Sequence, residues 1–299
     1  MSDRATCVGA VAALWRYPVK SMQGEEVTTA AISERGVLGD RAYAIMDRAT
    51  GHIGSAKHPR KWARLVQCRA AFVEPPRPGT PLPPISITLP DGTIISSADA
   101  DVDQVLSRAL GRDVTLLATA PAHPTREANR APVDSAPDQE LILEEEMATA
   151  APPGTFFDYA PLHLLATTTL ARLQELYPDG RFEVARFRPN IVVAPQGDEG
   201  DFVENRWLGR RLVVGAAVEL DLIDPCPRCV ITTLAQGDLP HDPGILRTVA
   251  RHNTAASVTL APGAILSAVA GAYARVLQGG TLQRGDPVWL GESVAAAQG

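Results

Sequence analysis

A pair of cysteines with two residues between them is the feature of this sequence that most directly suggests chemistry. Cys226 and Cys229 lie in the segment D-P-C-P-R-C at residues 224–229. Each proline fixes φ and removes an N–H donor, so we expect a stiff loop outside any hydrogen-bonded ladder. Arg228 lies beside Cys229, and a neighbouring cation favours the thiolate, which is the form that binds metals. The segment therefore predicts a rigid loop that binds a metal or an anion.

The cysteine pair has several interpretations. A zinc site would need a second ligand cluster, but Cys7 and Cys68 are isolated and no histidine pair has finger spacing. A thioredoxin-like pair would open a helix, which the β-branched residues 230–233 disfavour. One thiolate could instead bind a soft transition metal whose other ligands come from a cofactor. Two buried structural cysteines also explain the spacing, since cysteine is among the most buried residue types.

A second candidate site is the turn that contains Lys20 and Ser21. It follows Pro18 and precedes Gly24, which are strong turn signals. Such a turn could bind phosphate or another oxyanion, with the lysine as a point charge and the serine as a hydrogen-bond donor. An ordinary surface turn is the alternative, since lysine is usually exposed to solvent.

Three arginines could add further anion contacts. Arg41 precedes a predicted strand, where it could bind an anion or form a salt bridge with Asp40 or Glu34. Arg186 and Arg188 flank a phenylalanine, so on an extended chain they would share one face. Two guanidiniums before a Pro-Asn turn could form a phosphate clamp, although two surface arginines explain the pattern as well.

The order of these motifs resembles the MOSC family, named for the C-terminal part of molybdenum cofactor sulfurase. The motifs are Y-P-V-K-S at residues 17–21, R-F-R-P-N-I-V-V at 186–193, W-x-G at 207–209, P-C-P-R-C-x-x-T-T at 225–233 and R-G-D-P-V at 284–288. The nearer resemblance is to the two-domain members, such as the mitochondrial amidoxime-reducing component and its bacterial relatives. These members carry an additional N-terminal β-barrel domain, and the resemblance covers nearly the whole chain.

The resemblance implies a molybdenum-cofactor site made by both halves of the chain. Cys229 would be the catalytic residue and the metal ligand. Cys226 would be structural or would lie behind the residues that contact the metal, without binding it. The implied cofactor contacts are Lys20, Ser21, Arg41, Thr167, Thr168, Arg188, Asn190 and Arg228. The two threonines open a predicted helix, whose N-terminal N–H groups attract anions.

The implied function is a molybdenum-cofactor oxidoreductase that reduces N-hydroxylated or N-oxygenated small molecules, such as amidoximes and hydroxylamines. The sequence contains no nicotinamide or flavin fingerprint and no cysteine run typical of an iron–sulfur cluster, so electrons would come from a separate electron-transfer protein. The alternative is a non-catalytic carrier of the cofactor or of sulfur, with a persulfide on Cys229 or Cys226. A β domain with structural zinc or inert cysteines is a third possibility.

Composition excludes several other classes. The chain has 299 residues and a net charge of −6, which argues against a nucleic-acid-binding protein dominated by phosphate contacts. Four irregularly spaced cysteines do not form a disulfide framework and are typical of a reducing compartment. The N-terminal residues lack the pattern of a signal peptide, and no stretch approaches the ~18 apolar residues that span a bilayer. We therefore expect a soluble, cytoplasmic protein with neither a nucleic-acid nor a membrane partner.

The elements that would position these residues are mainly strands. We predict a mainly β (α+β) chain, with an N-terminal β-barrel-like domain at residues 1–122 and a MOSC β-barrel with a few helices at 123–299. In the first domain we expect strands at 8–15, 41–47 with a return strand from 55, 85–89, 93–95 and 114–117. A helix is expected at 100–110, ended by Gly111, and the proline-rich residues 74–84 form a loop.

Residues 118–137 have no period and predict a linker near the domain boundary. In the second domain we expect a helix from residue 167, a core strand at 191–193, one half-buried strand at 211–220, a buried Trp207 and a final strand near 290. Lys57 is expected at a solvated rim, Asp158 in a turn, and residues 144–146 on a solvated acidic face. His163 lies in an apolar run, which favours a hydrogen-bonded structural role.

Overall fold

The computed structural model describes residues 6–131, 139–197 and 200–293. Strands dominate these ranges and helices are few, so the mainly β prediction is confirmed. The helices of the described ranges are all too short or too polar to cross a membrane.

The N-terminal half contains nine strands and two short α-helices. The strands are β1 (Thr6–Arg16), β2 (Glu25–Val27), β3 (Thr29–Ser33), β4 (Gly36–Val37), β5 (Ala44–Asp47), β6 (Arg69–Phe72), β7 (Ile85–Thr88), β8 (Ile94–Ser96) and β9 (Val114–Leu117). The helices are α1 (Pro59–Trp62) and α2 (Val102–Leu110), and a 3-10 helix covers Ala63–Gln67.

The C-terminal half contains the remaining strands and three α-helices. The strands are β10 (Thr125–Asn129), β11 (Ile142–Glu146), β12 (Leu162–Ala166), β13 (Ile191–Pro195), β14 (Arg210–Val214), β15 (Val218–Pro227), β16 (Thr254–Ala256), β17 (Ile265–Ser267), β18 (Val269–Gln278), β19 (Gly280–Gln283) and β20 (Pro287–Ser293). The helices are α3 (Thr167–Leu176), α4 (Val184–Phe187) and α5 (Pro243–His252), with 3-10 helices at Val203–Arg206 and Val230–Thr233.

Seven strands close into a barrel in the order β13-β12-β18-β15-β14-β20-β1, because β1 pairs with β13 as well as with β20. β1 therefore completes a barrel whose other six strands come from the C-terminal half. Gly9 permits the closure, since a Cβ there would lie 2.3 Å from the carbonyl oxygen of Ala194. Apolar side chains fill the barrel, including the fully buried Leu14, Val193 and Leu222. Burial of this apolar surface is the main stabilising contribution.

The N-terminal half has its own core between the sheet β6-β7-β8 and α2. The predicted hairpin at 85–95 and the helix that ends at Gly111 are confirmed, and Gly111 has a φ of 68°. The predicted return strand after residue 55 is wrong. β5 pairs with β9 instead, and the hydroxyl of Ser55 accepts a hydrogen bond from the Lys57 N–H, which favours a turn.

The chain around the cysteine pair differs from the prediction in two ways. Residues 211–220 form a hairpin of β14 and β15, because Gly215 turns the chain with a φ of 63°. β15 then continues through Pro227, so Cys226 lies inside the ladder and not on a loop. The register against β18 shifts near residues 223 and 226, and these bulges let the two prolines stay in the strand. Only Cys229 lies beyond the ladder, at the start of the 3-10 helix Val230–Thr233.

The predicted linker at residues 118–137 is partly structured. It contains β10, which pairs with β11, while residues 132–138 lie outside the described part of the chain. The boundary near residue 122 stays a prediction. Trp207 is buried as expected, and the core strand at 191–193 is part of β13.

Candidate cofactor site

One cavity brings together seven of the predicted site residues from both halves of the chain. The space between its walls is about 680 Å³ when its open mouth is included. The predicted residues that line it are Lys20, Ser21, Arg41, Arg188, Asn190, Arg228 and Cys229. Phe156, Phe157 and Phe187 form apolar walls.

Three of these residues have a left-handed backbone. The φ angle is 65° at Ser21, 47° at Arg41 and 55° at Arg188. Side chains other than glycine rarely adopt this region, and each such residue costs about 1–3 kcal/mol. A strained backbone conformation persists only where the surrounding structure holds the residue in place. The three residues are therefore directed into the cavity by their backbone.

A buried carboxylate connects Arg41 with Asn190. Asp40 accepts hydrogen bonds from Arg41 Nη1 at 2.5 Å, from Asn190 Nδ2 at 2.9 Å and from the Tyr17 N–H at 2.7 Å. The Asn190 amide also donates to the carbonyl oxygen of Trp15 and accepts from the His163 N–H. Because its amide is engaged by the protein, Asn190 acts on a ligand mainly through Asp40 and Arg41.

Asp158 is the centre of a second charge cluster at the cavity. Its carboxylate forms ion pairs with Lys20, with Lys57 at 3.0 Å and with Arg126 at 2.8 Å. Lys57 therefore lines the cavity and is not a solvated rim charge. Arg126 also pairs with Glu145 at 2.9 Å, so the acidic run at 144–146 is only partly a solvated face.

The charges of this cluster shift each other's protonation. Burial raises the pKa of Asp158, but Arg126, Lys20 and Lys57 outweigh it and hold that pKa well below its usual range. Burial lowers the pKa of Lys20 to about 7, against the opposing attraction of Asp158. Asp158 is thus a carboxylate at neutral pH, whereas Lys20 is close to half protonated.

The protonation of Lys20 predicts that anion binding weakens at alkaline pH. Sulfate is a suitable probe because it stays a dianion throughout this range. The affinity for sulfate should be constant well below pH 7 and fall by up to about tenfold per unit above it, as the Nζ proton is lost. Isothermal titration calorimetry between pH 5.5 and 8.5 measures this, and Lys20→Met should bind sulfate more weakly, without the pH step. The same step in Lys20→Met would contradict the assignment.

The two cysteines have different surroundings. Cys226 is 1% exposed, and its sulfur accepts a hydrogen bond from Arg228 Nη1 at 2.7 Å. Burial raises the pKa of Tyr273 well above its usual value, and the nearby Cys226 raises it further. Cys229 is half-buried and lines the cavity. The geometry therefore presents the Cys229 thiol, and not the Cys226 thiol, to a ligand.

A metal at Cys229 would need ligands from a cofactor. The described ranges contain no group of three or more histidine, cysteine, aspartate or glutamate side chains placed to bind a metal ion. Arg228 also donates from Nη2 to the Phe187 carbonyl oxygen at 2.7 Å, and its buried Nε has no partner among the described residues. A thiol beside several cations and polar donors fits a cofactor with an anionic tail and a polar ring.

Two predictions about residues near the cavity are not met, and the first concerns the N-terminus of α3. Thr167 and Thr168 open α3 as expected, but they do not line the cavity. The buried Glu204 already occupies that helix end, where it accepts from the Ala166 N–H at 2.6 Å and from the Thr169 hydroxyl. A protein carboxyl group therefore lies where the prediction placed a cofactor anion.

The predicted clamp of Arg186 and Arg188 is wrong. Residues 184–187 form the helix α4, so the two side chains do not share a face. Arg186 is fully buried, and its guanidinium donates hydrogen bonds to the carbonyl oxygens of Thr232, Leu234 and Pro240.

His163 has the predicted structural role, because burial lowers its pKa to about 3 and its Nε2 lies 3.2 Å from the Ala270 carbonyl oxygen.

Sequence reasoning missed Arg126, assigned no site role to Asp158, and gave the lining of the pocket only as the alternative for Lys57. The Lys20–Asp158 contact joins residues 138 positions apart. No local pattern marks such a pair. A carboxylate beside three cations appears only after the chain has folded.

Known proteins match the chain over most of its length. Residues 152–289 match the MOSC domain, and residues 8–75 match the MOSC N-terminal beta barrel domain. The chain is similar to mitochondrial amidoxime reducing component 2 of Rattus norvegicus, at 26% identity over 94% of this chain and 83% of that protein. The protein of the same name from Homo sapiens is 27% identical over the same shares. The solved YUAD protein from Bacillus subtilis has a TM-score of 0.45 and 11% identity over 97% of this chain and 98% of its own.

The two domain matches confirm the resemblance that the motifs predicted. The two matched domains follow each other in the expected order, and the family motifs supply the residues around the Cys229 thiol. The chain therefore belongs to the MOSC domain family, with a MOSC N-terminal β-barrel domain ahead of the MOSC domain.

Proposed function

We propose that this protein is a molybdenum-cofactor-dependent oxidoreductase that reduces N-hydroxylated or N-oxygenated small molecules. The observation that carries the proposal is the single cavity shared by the Cys229 thiol and the predicted cofactor contacts. The similar curated proteins are named for amidoxime reduction, and an amidoxime is an N-hydroxylated compound.

The cavity offers each kind of group that this cofactor requires. Cys229 would hold the metal through its thiolate, because soft thiolate ligands suit such a metal. Lys20, Arg41 and Arg188 would bind the phosphate. The Ser21 hydroxyl oxygen accepts from the Ala56 N–H, so its own hydrogen remains able to donate to the ligand.

When bound, the cofactor would supply the two-electron chemistry and take up the substrate oxygen. Reduction of an N–OH group to N–H also consumes two protons and releases one water. Lys20 would keep its Nζ proton in contact with the phosphate, whose negative charge opposes the lowering of the lysine pKa to about 7 by burial. The phenylalanines of the cavity wall would exclude bulk water from the reacting groups.

Electrons would come from a separate electron-transfer protein, since the sequence has no fingerprint for a nicotinamide, a flavin or an iron–sulfur cluster. All four cysteines are free thiols, which suits a reducing compartment. We therefore propose that the reaction takes place in the cytoplasm, with neither a nucleic acid nor a membrane as a partner.

The test is the molybdenum and pterin content of protein made in a host that synthesises the cofactor. We expect near-stoichiometric molybdenum and pterin in the wild type, and loss of molybdenum in Cys229→Ala. Cys7→Ala is the matched control, because Cys7 lies in β1 and does not line the cavity. Wild-type protein without molybdenum and pterin would contradict the proposal.

The alternative is a carrier that holds a persulfide on one of the two thiols. The specific observation in its favour is the Arg228 guanidinium at 2.7 Å from the Cys226 sulfur, since a cation stabilises an anionic sulfur. Intact-protein mass spectrometry distinguishes the two functions. A gain of one sulfur atom that disappears on reduction, in protein without molybdenum, would favour the carrier.

A further inference from the structure

One aromatic ring lies under two of the arginines that reach the cavity. The Cζ atom of Arg41 is 4.5 Å from the ring centroid of Tyr17, and the Cζ atom of Arg188 is 4.4 Å from the same centroid. A guanidinium within ~6 Å of an aromatic face is attracted by the ring quadrupole. Arg41 and Arg188 are 147 positions apart in the sequence, and Arg41 Nη2 also donates to the Arg188 carbonyl oxygen at 3.4 Å.

This pair of cations is costly to assemble. Arg188 is 7% exposed, and burial, followed by the charge of Arg41, lowers its pKa to about 10. The guanidinium stays protonated at neutral pH, so two like charges meet in a largely buried place. Both residues also have a left-handed backbone. Arg41 Nη1 donates to the Asp40 carboxylate and Arg188 Nη1 donates to the Met22 carbonyl oxygen, so each guanidinium has its own anchor. The Tyr17 ring is a group that contacts both guanidiniums.

The Tyr17 ring is held rigidly in its own position. It is 1% exposed and stacks on Trp15 with a centroid distance of 6.2 Å. Gly24 leaves space for it, because a Cβ at that position would lie 2.6 Å from Tyr17 Cδ1. The hydroxyl has no hydrogen-bond partner among the described residues, and burial raises the pKa of Tyr17. The side chain therefore stays neutral and contacts the arginines through its ring.

We propose that Tyr17 is a positioning residue whose ring holds Arg41 and Arg188 together as a binding pair for a doubly charged oxyanion, such as the phosphate of a cofactor. The proposal deepens the proposed function and rests on it for the identity of the ligand. The geometry of the pair itself does not depend on a metal.

The test compares two substitutions of Tyr17 by their affinity for sulfate, measured calorimetrically on the full chain made in a host that lacks the cofactor. Tyr17→Leu removes the ring but keeps the main-chain bonds to Asp40 and Arg41. We expect at least about a fivefold loss of sulfate affinity, since two cation–π contacts disappear. Tyr17→Phe keeps the ring, so its affinity should stay within about twofold of the wild-type value.

Phe72→Leu is the matched control. It removes a ring that lies 4.9 Å below another arginine, Arg16, and Phe72 does not line the cavity. This variant should lose stability but keep its affinity for sulfate. Unchanged affinity in Tyr17→Leu would overturn the proposal, as would an equal loss in Tyr17→Phe or the absence of sulfate binding by the wild type.

The failure of this proposal and the failure of the proposed function are distinguishable. If sulfate affinity depends on the ring but wild-type protein from a cofactor-producing host contains neither molybdenum nor pterin, only the proposed function fails. If that protein contains both, and Tyr17→Leu changes neither sulfate affinity nor pterin content, only the role of Tyr17 fails.

Discussion

Cys229→Ala is expected to lower the reduction of benzamidoxime by more than about 100-fold, to the level measured without the protein. Loss of only an outer partner of a metal ligand typically costs 10–100-fold, so loss of the ligand itself should cost more. The reason lies in the placement of this thiol, which lines the cavity together with Lys20, Arg188 and Arg228. The assay uses cofactor-loaded protein with a chemical electron donor, so that no partner protein is needed.

Cys226→Ala separates the roles of the two thiols. Cys226 is buried within β15 and contacts Arg228, so we expect this variant to retain molybdenum and part of its activity. The half-buried Cys229 contributes little to the core, and Cys229→Ala should melt within a few degrees of the wild type. Wild-type activity in Cys229→Ala, or complete loss of molybdenum in Cys226→Ala alone, would reverse the assignment.

Asp158→Ala is expected to lower the free energy of unfolding, and this is the second large effect that we predict. The substitution leaves Lys20, Lys57 and Arg126 without their shared carboxylate, and Lys20 and Arg126 are about 95% buried. Removal of one partner from a buried ion pair costs about 3–5 kcal/mol. Because the Asp158 side chain is 33% exposed, we expect about 2–4 kcal/mol in the free energy of unfolding, measured by urea denaturation.

Asp113→Ala is the matched control for this loss. Asp113 is 73% exposed and forms a long ion pair with Arg48 at 3.6 Å, so its removal should cost less than about 1 kcal/mol.

The stabilisation by Asp158 should depend on pH. The pKa of Asp158 is held below its usual range, so the contribution of this carboxylate to stability is complete above about pH 4 and is lost as the pH falls through the folded-state pKa. The difference between wild type and Asp158→Ala should therefore persist at pH 5 and shrink only in stronger acid. Equal effects of the two substitutions would contradict the role of Asp158.

From the sequence alone we could identify the family, the mainly β class and seven of the residues that line the cavity. Short motifs that include Lys20, Arg188 and Cys229 can be recognised without the fold, because each combines a proline, which restricts the backbone, with a charged or thiol side chain. The strands of the barrel core were readable for a similar reason. Runs such as residues 191–193 carry consecutive apolar side chains, and burial of apolar surface depends on these local patterns.

The hairpin at 211–220 and the strand that contains Cys226 were not predicted, because they depend on a turn and on a partner strand. The apolar run at 211–220 contains Gly215, whose positive φ makes it a hairpin and not one strand. Cys226 lies in the ladder because bulges against β18 accommodate the two prolines, and β18 lies about 45 residues further along the chain. A register shift of this kind depends on the partner strand, so neither the alternation nor the prolines could reveal it.

The electrostatics of the site depend on contacts that form only in the folded chain. Asp158 meets Lys20, Lys57 and Arg126, and Tyr17 meets Arg41 and Arg188, through contacts between distant segments. Conversely, Thr167 and Thr168 do not line the cavity, and the buried Glu204 lies at the N-terminus of α3 instead. The physical reason is that the Coulomb interaction and the cost of burial depend on distances in the folded chain, whereas a motif specifies only which charges are present.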